Sequence, residues 1–171
     1  YMTIITLTTD YGNKDYFVSA IKAALLAEIK EVNIVSISHE INPYNVTEAS
    51  YILKNSYKLF PKGTIHIIGV DSELNPENTH IAMQLNGHFF ICANNGILSM
   101  VCSEMNPDRI VEINIHDKII GSFPVLDVFV KQIVFYSKTC SQRTMFRWPW
   151  SRSCDAFELL YHEAISNQWV P

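Results

Sequence analysis

Thr64-Ile-His-Ile-Ile-Gly-Val-Asp71 is the stretch on which the reading of this chain turns. Its β-branched and apolar residues carry no charge, as expected of a strand buried on both faces, and a carboxylate follows at once. The same design opens the chain, where Met2-Thr-Ile-Ile-Thr-Leu-Thr-Thr9 leads into Asp10. In open α/β sheets the ligand crevice lies outside the carboxyl ends of the strands. An acidic pair at two such ends points to a small molecule with hydroxyls or positive charge, and away from a phosphate.

Between these strands the pattern alternates. Phe17, Ala20, Ile21, Ala24 and Leu25 fall at i, i+3, i+4, i+7 and i+8, the core stripe of an amphipathic helix. Val32-Asn-Ile-Val-Ser-Ile37 is a second strand, and Asn42-Pro43 breaks the chain after it. Val46, Ala49, Leu53, Ser56 and Phe60 share one face of a second helix that ends before Pro61-Lys-Gly63. A βαβαβ run of this kind predicts a parallel sheet with right-handed crossovers.

Downstream, Ser72 to Asn78 is a polar loop. Ile81-Ala-Met-Gln-Leu85 and His88-Phe-Phe-Ile-Cys92 flank Asn86-Gly87, a strong hairpin signal. A short helix from Ile97, a strand at Ile110 to Ile115 and a helix across Val125 to Val134 follow. The expected fold is α/β, with a mostly parallel central sheet, helices on both faces and a β-hairpin. Beyond about Ile133 the character breaks. Ser137 to Trp150 has no period, and only Ala156 to Ile165 regains a weak helical stripe.

The 171 residues suffice for one domain with a real core and are too few for two full ones. A net charge of −4, with no basic stripe, gives no electrostatic reason to expect nucleic acid. No apolar run is long enough to span a bilayer, and the N-terminus lacks the order of a signal peptide. Cys92, Cys102, Cys140 and Cys154 show no C-x-x-C spacing and are expected to be reduced, mostly structural thiols. The expectation is a cytoplasmic protein.

Each candidate site residue has two readings. Asp10 either accepts hydrogen bonds from a vicinal diol or is a turn residue before Tyr11-Gly12. Asp71 is supported by its strand-end position alone. His39, beside Glu40 after the second strand, is an acid, a base or a ligand, or a histidine bonded to loop backbone. Tyr11 and Tyr44 are pocket walls or edge-of-core packing. Asn94-Asn95-Gly96 positions a ligand or makes a tight turn. No G-x-G-x-x-G, Walker A, G-x-S-x-G or H-E-x-x-H motif occurs, and His66, His80 and His88 are scattered on strands, so no metal site is expected.

Taken in order, Thr8-Thr-Asp-Tyr-Gly12, Ile37-Ser-His-Glu-Ile-Asn-Pro43, Phe60-Pro-Lys-Gly-Thr-Ile-His66, Val70-Asp71 and Asn94-Asn-Gly-Ile-Leu98 form a specific set. The set resembles the S-adenosylmethionine hydroxide adenosyltransferase family, which also contains chlorinases and fluorinases. The resemblance covers about residues 2–131. It implies an N-terminal α/β domain followed by a β-barrel domain, assembled as a homotrimer with substrate between subunits. It further implies that Asp10 holds ribose hydroxyls and that Asp71 lies near the ribose and the reacting centre, as the catalytic residue. Tyr44 matches the position where fluorinating members carry a Trp, and Asn94-Asn95 resembles their Asn-Asn-Gly. Tyr11, His39 and Asn95 are carried as further substrate-binding positions. No cofactor beyond S-adenosylmethionine, the substrate, is implied.

The chain departs from the family pattern in three places. Hydrolytic members follow the strand-end Asp with Pro-Gly-Val-Gly and an Arg seven residues on, whereas here Asn78 and Thr79 stand near that position. A Phe-His-Gly-Arg-Asp signature aligns with Phe123-Pro-Val-Leu-Asp127, placing Pro124 where the His is expected. Residues 132–171 are expected to be an irregular tail replacing the barrel, with a reading-frame slip and a natural short variant as the two readings of its composition. The expected activity is hydrolysis of S-adenosylmethionine to adenosine and methionine. The alternatives are an inactive adenosine-binding or assembly module and, third, a halogenase.

Overall fold

Among the described residues, the alternating pattern builds one mixed six-stranded sheet. The computed structural model describes residues 3–73, 79–103 and 105–113, together with Val125 and Val130. Strands β1 (Thr3–Thr9), β2 (Val32–Ser38), β3 (Ile65–Gly69), β4 (His80–Leu85), β5 (His88–Ala93) and β6 (Arg109–Ile113) lie in the order β2-β1-β3-β5-β4-β6. Pairings β1–β2, β1–β3 and β3–β5 are parallel, and β4 runs antiparallel to β5 and β6. The expected mostly parallel sheet with a hairpin is what forms. The expected helix across Val125 to Val134, the loop at 74–78, Pro124, Asp127 and the tail from 132 lie outside the described residues, Val125 and Val130 excepted.

Helices α1 (Phe17–Glu28) and α2 (Val46–Ser56) cover opposite faces. Ile21 and Leu25 of α1 pack with Ile5, Leu7, Ile65, Ile67, Phe89 and Ile91. Ala49 and Leu53 of α2 pack with Ile68, Val70, Phe90 and Cys92. Side chains alternate across a strand, so β3 and β5 contribute to both layers. The two layers are why these strands read as continuous apolar runs.

The sequence places the end of α2 at Phe60; it comes earlier, at Ser56, and a 3₁₀ turn at Tyr57–Leu59 leads into Pro61. Proline disfavours helical backbone in the residue before it, and Phe60 is extended. The start of α2 is fixed by a reciprocal cap. Asn45 Oδ1 accepts the Glu48 N–H at 3.0 Å, while Glu48 Oε2 accepts from Asn42 N–H at 3.1 Å and from the Asn45 amide at 3.2 Å. The hairpin turn between β4 and β5 has positive φ at Asn86 (52°) and Gly87 (78°), as a type I′ turn demands.

Two of the histidines that look scattered in the sequence, His66 and His88, meet in space. On the α2 face, His66 Nδ1 lies 2.7 Å from Thr6 Oγ1, and His66 Nε2 lies 3.3 Å from His88 Nδ1. The His66 ring stacks on Phe90 at 4.8 Å and meets Tyr57 edge-on at 6.2 Å. Burial, with His88 beside it, pushes His66 down to about 3. Burial also lowers His88 and His80. Cys92 and Cys102 are free, buried thiols raised by burial, which removes them as nucleophiles.

These histidines make stability depend on acid in a defined direction. Above the ordinary imidazole value of 6.5 both folded and unfolded chains hold His66 neutral. Below it the unfolded chain binds a proton that the folded chain refuses, so stability is lost as pH falls from 6.5 towards about 3. The slope approaches about 1.4 kcal/mol per pH unit for one proton. Urea unfolding at pH 7.5 and pH 5 is expected to show this loss, and His66→Gln to make the dependence shallower.

Candidate functional site

Parallel strands β2, β1, β3 and β5 deliver their carboxyl ends to one edge of the sheet. The chain passes from β1 outward to β2 and then returns across β1 to β3, so β1 and β3 bracket the point where the winding reverses. That reversal opens the ligand crevice of doubly wound sheets. Asp10 follows β1 and Asp71 follows β3 closely. Their register makes them neighbours, because Thr9 pairs with Gly69 and Asp10 N–H donates to the Gly69 carbonyl at 3.4 Å.

Asp10 is half-buried, and its carboxylate is a hub. Oδ2 accepts the Tyr44 N–H at 3.1 Å and the Asp71 N–H at 3.5 Å. Oδ1 makes no hydrogen bond among the described residues. Both donors have left-handed backbone, with φ of 62° at Tyr44 and 46° at Asp71. Asn42 to Asn45 forms a turn closed by Asn45 N–H to the Asn42 carbonyl at 3.0 Å. Pro43 and a positive φ at the next residue are the pattern of a type II turn, and Tyr44 stands where Gly or Asn is favoured. Strain of about 1–3 kcal/mol per residue collects at functional sites. Here both strained amides converge on one carboxylate oxygen.

The other sequence candidates sort by what their polar atoms touch. Tyr44 is 65% exposed, its ring free of the core. Tyr11 is half-buried, and its hydroxyl lies 3.0 Å from Ser72 Oγ. Burial first, opposed by the Ser72 bond, and then the Asp10 charge push Tyr11 up to about 12, so it stays a neutral phenol. His39 is buried with both ring nitrogens engaged, Nδ1 to Thr9 Oγ1 at 2.7 Å and Nε2 to Ser36 Oγ at 2.8 Å. Burial and nearby Lys22 lower its pKa against Glu40, and it is neutral. Asn95 spends its amide on backbone: Nδ2 donates to the carbonyls of Val70 (3.0 Å) and Asp71 (3.2 Å), and Oδ1 accepts the Ile97 N–H at 3.3 Å. The Asn94 side chain is exposed at the same edge.

Three contributors escape a reading of the sequence. Ser72 is buried at the base of the loop after Asp71, holding Tyr11 through its hydroxyl and His80 Nε2 through its carbonyl at 3.0 Å. Thr9 bonds His39. Gly69 is needed for close approach: a Cβ there stands 2.7 Å from Val125 Cγ2 and 3.2 Å from the Tyr11 hydroxyl. The only local signal for Gly69 is a glycine interrupting a buried strand, which marks such approaches. Among the described residues no group of three His, Cys, Asp or Glu side chains is placed to hold a metal ion. No helix among them is long and apolar enough to cross a membrane.

The class defined by this geometry is a doubly wound α/β protein in which Asp10 and Asp71 follow β1 and β3 at the winding reversal, the place where such sheets bind ligands. Comparison with known proteins places it further. The model of the SAM hydroxide adenosyltransferase N-terminal domain matches residues 5–144, and the chain belongs to that family. It is 31% identical over 118 residues to an (R)-S-adenosyl-L-methionine hydrolase of Methanocaldococcus jannaschii, covering 66% of this chain and 44% of that protein. It is 29% identical over 62 residues to a fluorinase of Actinopolyspora mzabensis, covering 36% of this chain and 21% of that one. The chain thus spans less than half the length of these curated relatives. A crystal structure of an uncharacterized conserved protein from Thermotoga maritima superposes with a TM-score of 0.70 at 28% identity, covering 77% of this chain and 53% of its own. A conserved hypothetical protein from Thermus thermophilus matches in fold, with a TM-score of 0.62 at 23% identity over 76% of this chain and 51% of its own.

Three substitutions test this architecture. Asp10→Asn keeps an oxygen for the Tyr44 and Asp71 amides and is expected to hold stability within about 1 kcal/mol, whereas Asp10→Ala loses roughly 1–3 kcal/mol. Urea unfolding of the pair measures the difference. Gly69→Ala forces Val125 or Tyr11 aside and is expected to cost about 1–3 kcal/mol by the same measurement.

Proposed function

We propose that the chain is the N-terminal α/β unit, over about residues 2–131, of an enzyme that transfers the adenosyl group of S-adenosylmethionine to water or hydroxide. The supporting observation is the Asp10 carboxylate, held by two backbone amides at the winding reversal, with Oδ1 bonded to no donor among the described residues. A sugar diol is the complementary donor, and strand-end acidic residues bind ribose in this manner. Asp71, next along the edge, positions the reacting centre. No cofactor beyond the substrate itself enters this reading. The resemblance extends the proposal to a homotrimer.

The reaction needs positioning more than proton transfer. Oxygen of water or hydroxide forms a bond to the 5′ carbon as the carbon–sulfur bond breaks. The bonding pair stays on sulfur, and methionine departs as a neutral thioether. The proton of an attacking water passes to solvent, before or during attack, and its oxygen becomes the 5′ hydroxyl of adenosine. When a sulfonium meets hydroxide, charge is lost in the transition state, so exclusion of water favours the reaction. In-line placement draws on the roughly 7–11 kcal/mol available from orientation.

A second reading keeps adenosine affinity without turnover. Asn78 and Thr79 supply no guanidinium where hydrolytic relatives carry one, and Pro124 stands at the expected His. Purified chain incubated with S-adenosylmethionine, followed by chromatography, separates the two. Hydrolysis is expected to yield adenosine and methionine, with adenosine reduced at least about 100-fold in Asp71→Asn. Adenosine binding with only methylthioadenosine, the spontaneous product, selects the second reading. A rate that rises with chloride instead selects a halogenase.

A further inference from the structure

We infer that His39 is a positioning residue that, through Thr9, sets the direction in which the Asp10 carboxylate faces the crevice. Asp10 lies just beyond β1, where the ladder to β2 has run out. The last paired residues are Thr8 and Ser38, and the register slips between Leu7 and Thr8. An irregularity of this kind bends a strand and re-aims the side chains beyond it. Past the slip, the two strand ends are joined through one residue. The His39 ring bridges the Thr9 and Ser36 hydroxyls at 2.7 and 2.8 Å, and the His39 carbonyl accepts the Gly12 N–H at 2.7 Å. Thr9 and Gly12 flank Asp10 and Tyr11, so His39 grips the turn from both sides. The Asn13 amide adds an outer bond to Glu40 Oε1 at 2.6 Å.

Imidazole suits this task for a geometric reason. Its two nitrogens point away from one another across a rigid ring, so a single side chain spans two hydroxyls without flexible joints. In the neutral ring one nitrogen donates and the other accepts, and each hydroxyl takes the complementary role. With both nitrogens engaged, His39 has no atom left for a ligand and acts through Asp10. The consequence reaches the strained loops. Asp10 Oδ2 must lie within reach of the Tyr44 and Asp71 amides at once, and a small rotation of the turn breaks those contacts and swings Oδ1 out of the crevice.

The decisive readout needs no ligand. Amide hydrogen exchange at Tyr44 reports whether Asp10 Oδ2 is in place, and the Ile67 amide in central β3 reports global opening. In the Thr9→Val variant of this chain the Tyr44 amide is expected to exchange roughly tenfold faster while Ile67 is unchanged, the loss of about one hydrogen bond. Thr9→Ser, which keeps the hydroxyl, is expected to restore protection, and His39→Leu to match Thr9→Val. Should Thr9→Val fail to fold, Ser36→Ala frees the ring from its far side without altering β1, and the same acceleration at Tyr44 is expected.

Unchanged Tyr44 exchange, failure of Thr9→Ser to restore it, or equal acceleration at Ile67 overturns the inference. The functional consequence rests on the proposed reading of Asp10 as the ribose carboxylate. Adenosine affinity, measured by calorimetry, is expected to fall by a similar factor in Thr9→Val and to recover in Thr9→Ser. A wild-type chain that binds no adenosine counts against that reading, and the exchange experiment still decides the role of His39.

Discussion

The bonds from the Tyr44 and Asp71 amides to Asp10 Oδ2 are the interaction on which the crevice depends. Each amide sits in backbone that L-residues seldom adopt, and each belongs to a different loop. A hydrogen bond to a charged group contributes about 1.5–3 kcal/mol, the same size as the strain it offsets. The balance is therefore local. It holds only while β1 and β3 stay in the register that sets Thr9 opposite Gly69. The central pair of strands thus governs the shape of the crevice, and the capped start of α2 brings the Tyr44 loop to it.

The two faces of the sheet answer different demands. On the α1 side, Ile5 and Leu7 of β1 meet a layer of aliphatic and aromatic side chains. On the α2 side, the alternate β1 residues are Thr6 and Thr8, and His66, His88 and Tyr57 lie across the same layer. Thr8 Oγ1 and Tyr57 Oη are buried with no hydrogen-bond partner among the described residues. Each such atom costs roughly 1–3 kcal/mol. The α2 face is accordingly the acid-sensitive face, while the α1 face and the His39 clamp fasten the strand ends.

Local pattern carried most of the fold. The βαβαβ run and the Asn86-Gly87 hairpin depend on periodicity and turn chemistry within a few residues, and both formed. The strand-end rule picked out Asp10 and Asp71 for the same reason. What lay hidden needed pairing across the sheet. His66 and His88 are 22 residues apart and meet only because parallel pairing sets His66 beside Phe90, two residues beyond His88. Nothing local marks Tyr44 as a left-handed residue, since Tyr is not a type II turn former. Asn95 has the look of a ligand residue because its amide is polar and near a strand end, yet its donors close onto the Val70 and Asp71 carbonyls. A sequence lists donors; only the fold decides whether backbone or ligand receives them.

The chemistry left at the strand ends is narrow. Tyr11 is pushed up to about 12 and bonded to Ser72, so near neutral pH it yields no proton. His39 is neutral with both nitrogens occupied. The buried thiols are raised and face the core. Among the described residues, the carboxyl groups of Asp10, Asp71 and Glu73 remain just beyond β1 and β3. A site of this composition is poorly equipped for a reaction whose leaving group must be protonated. It is well equipped to orient a hydroxylated ligand whose leaving group departs neutral, because such a step needs alignment and exclusion of water rather than an acid. Sulfonium chemistry meets that condition, and under the proposed function the bonds around Asp10 are what would supply the alignment.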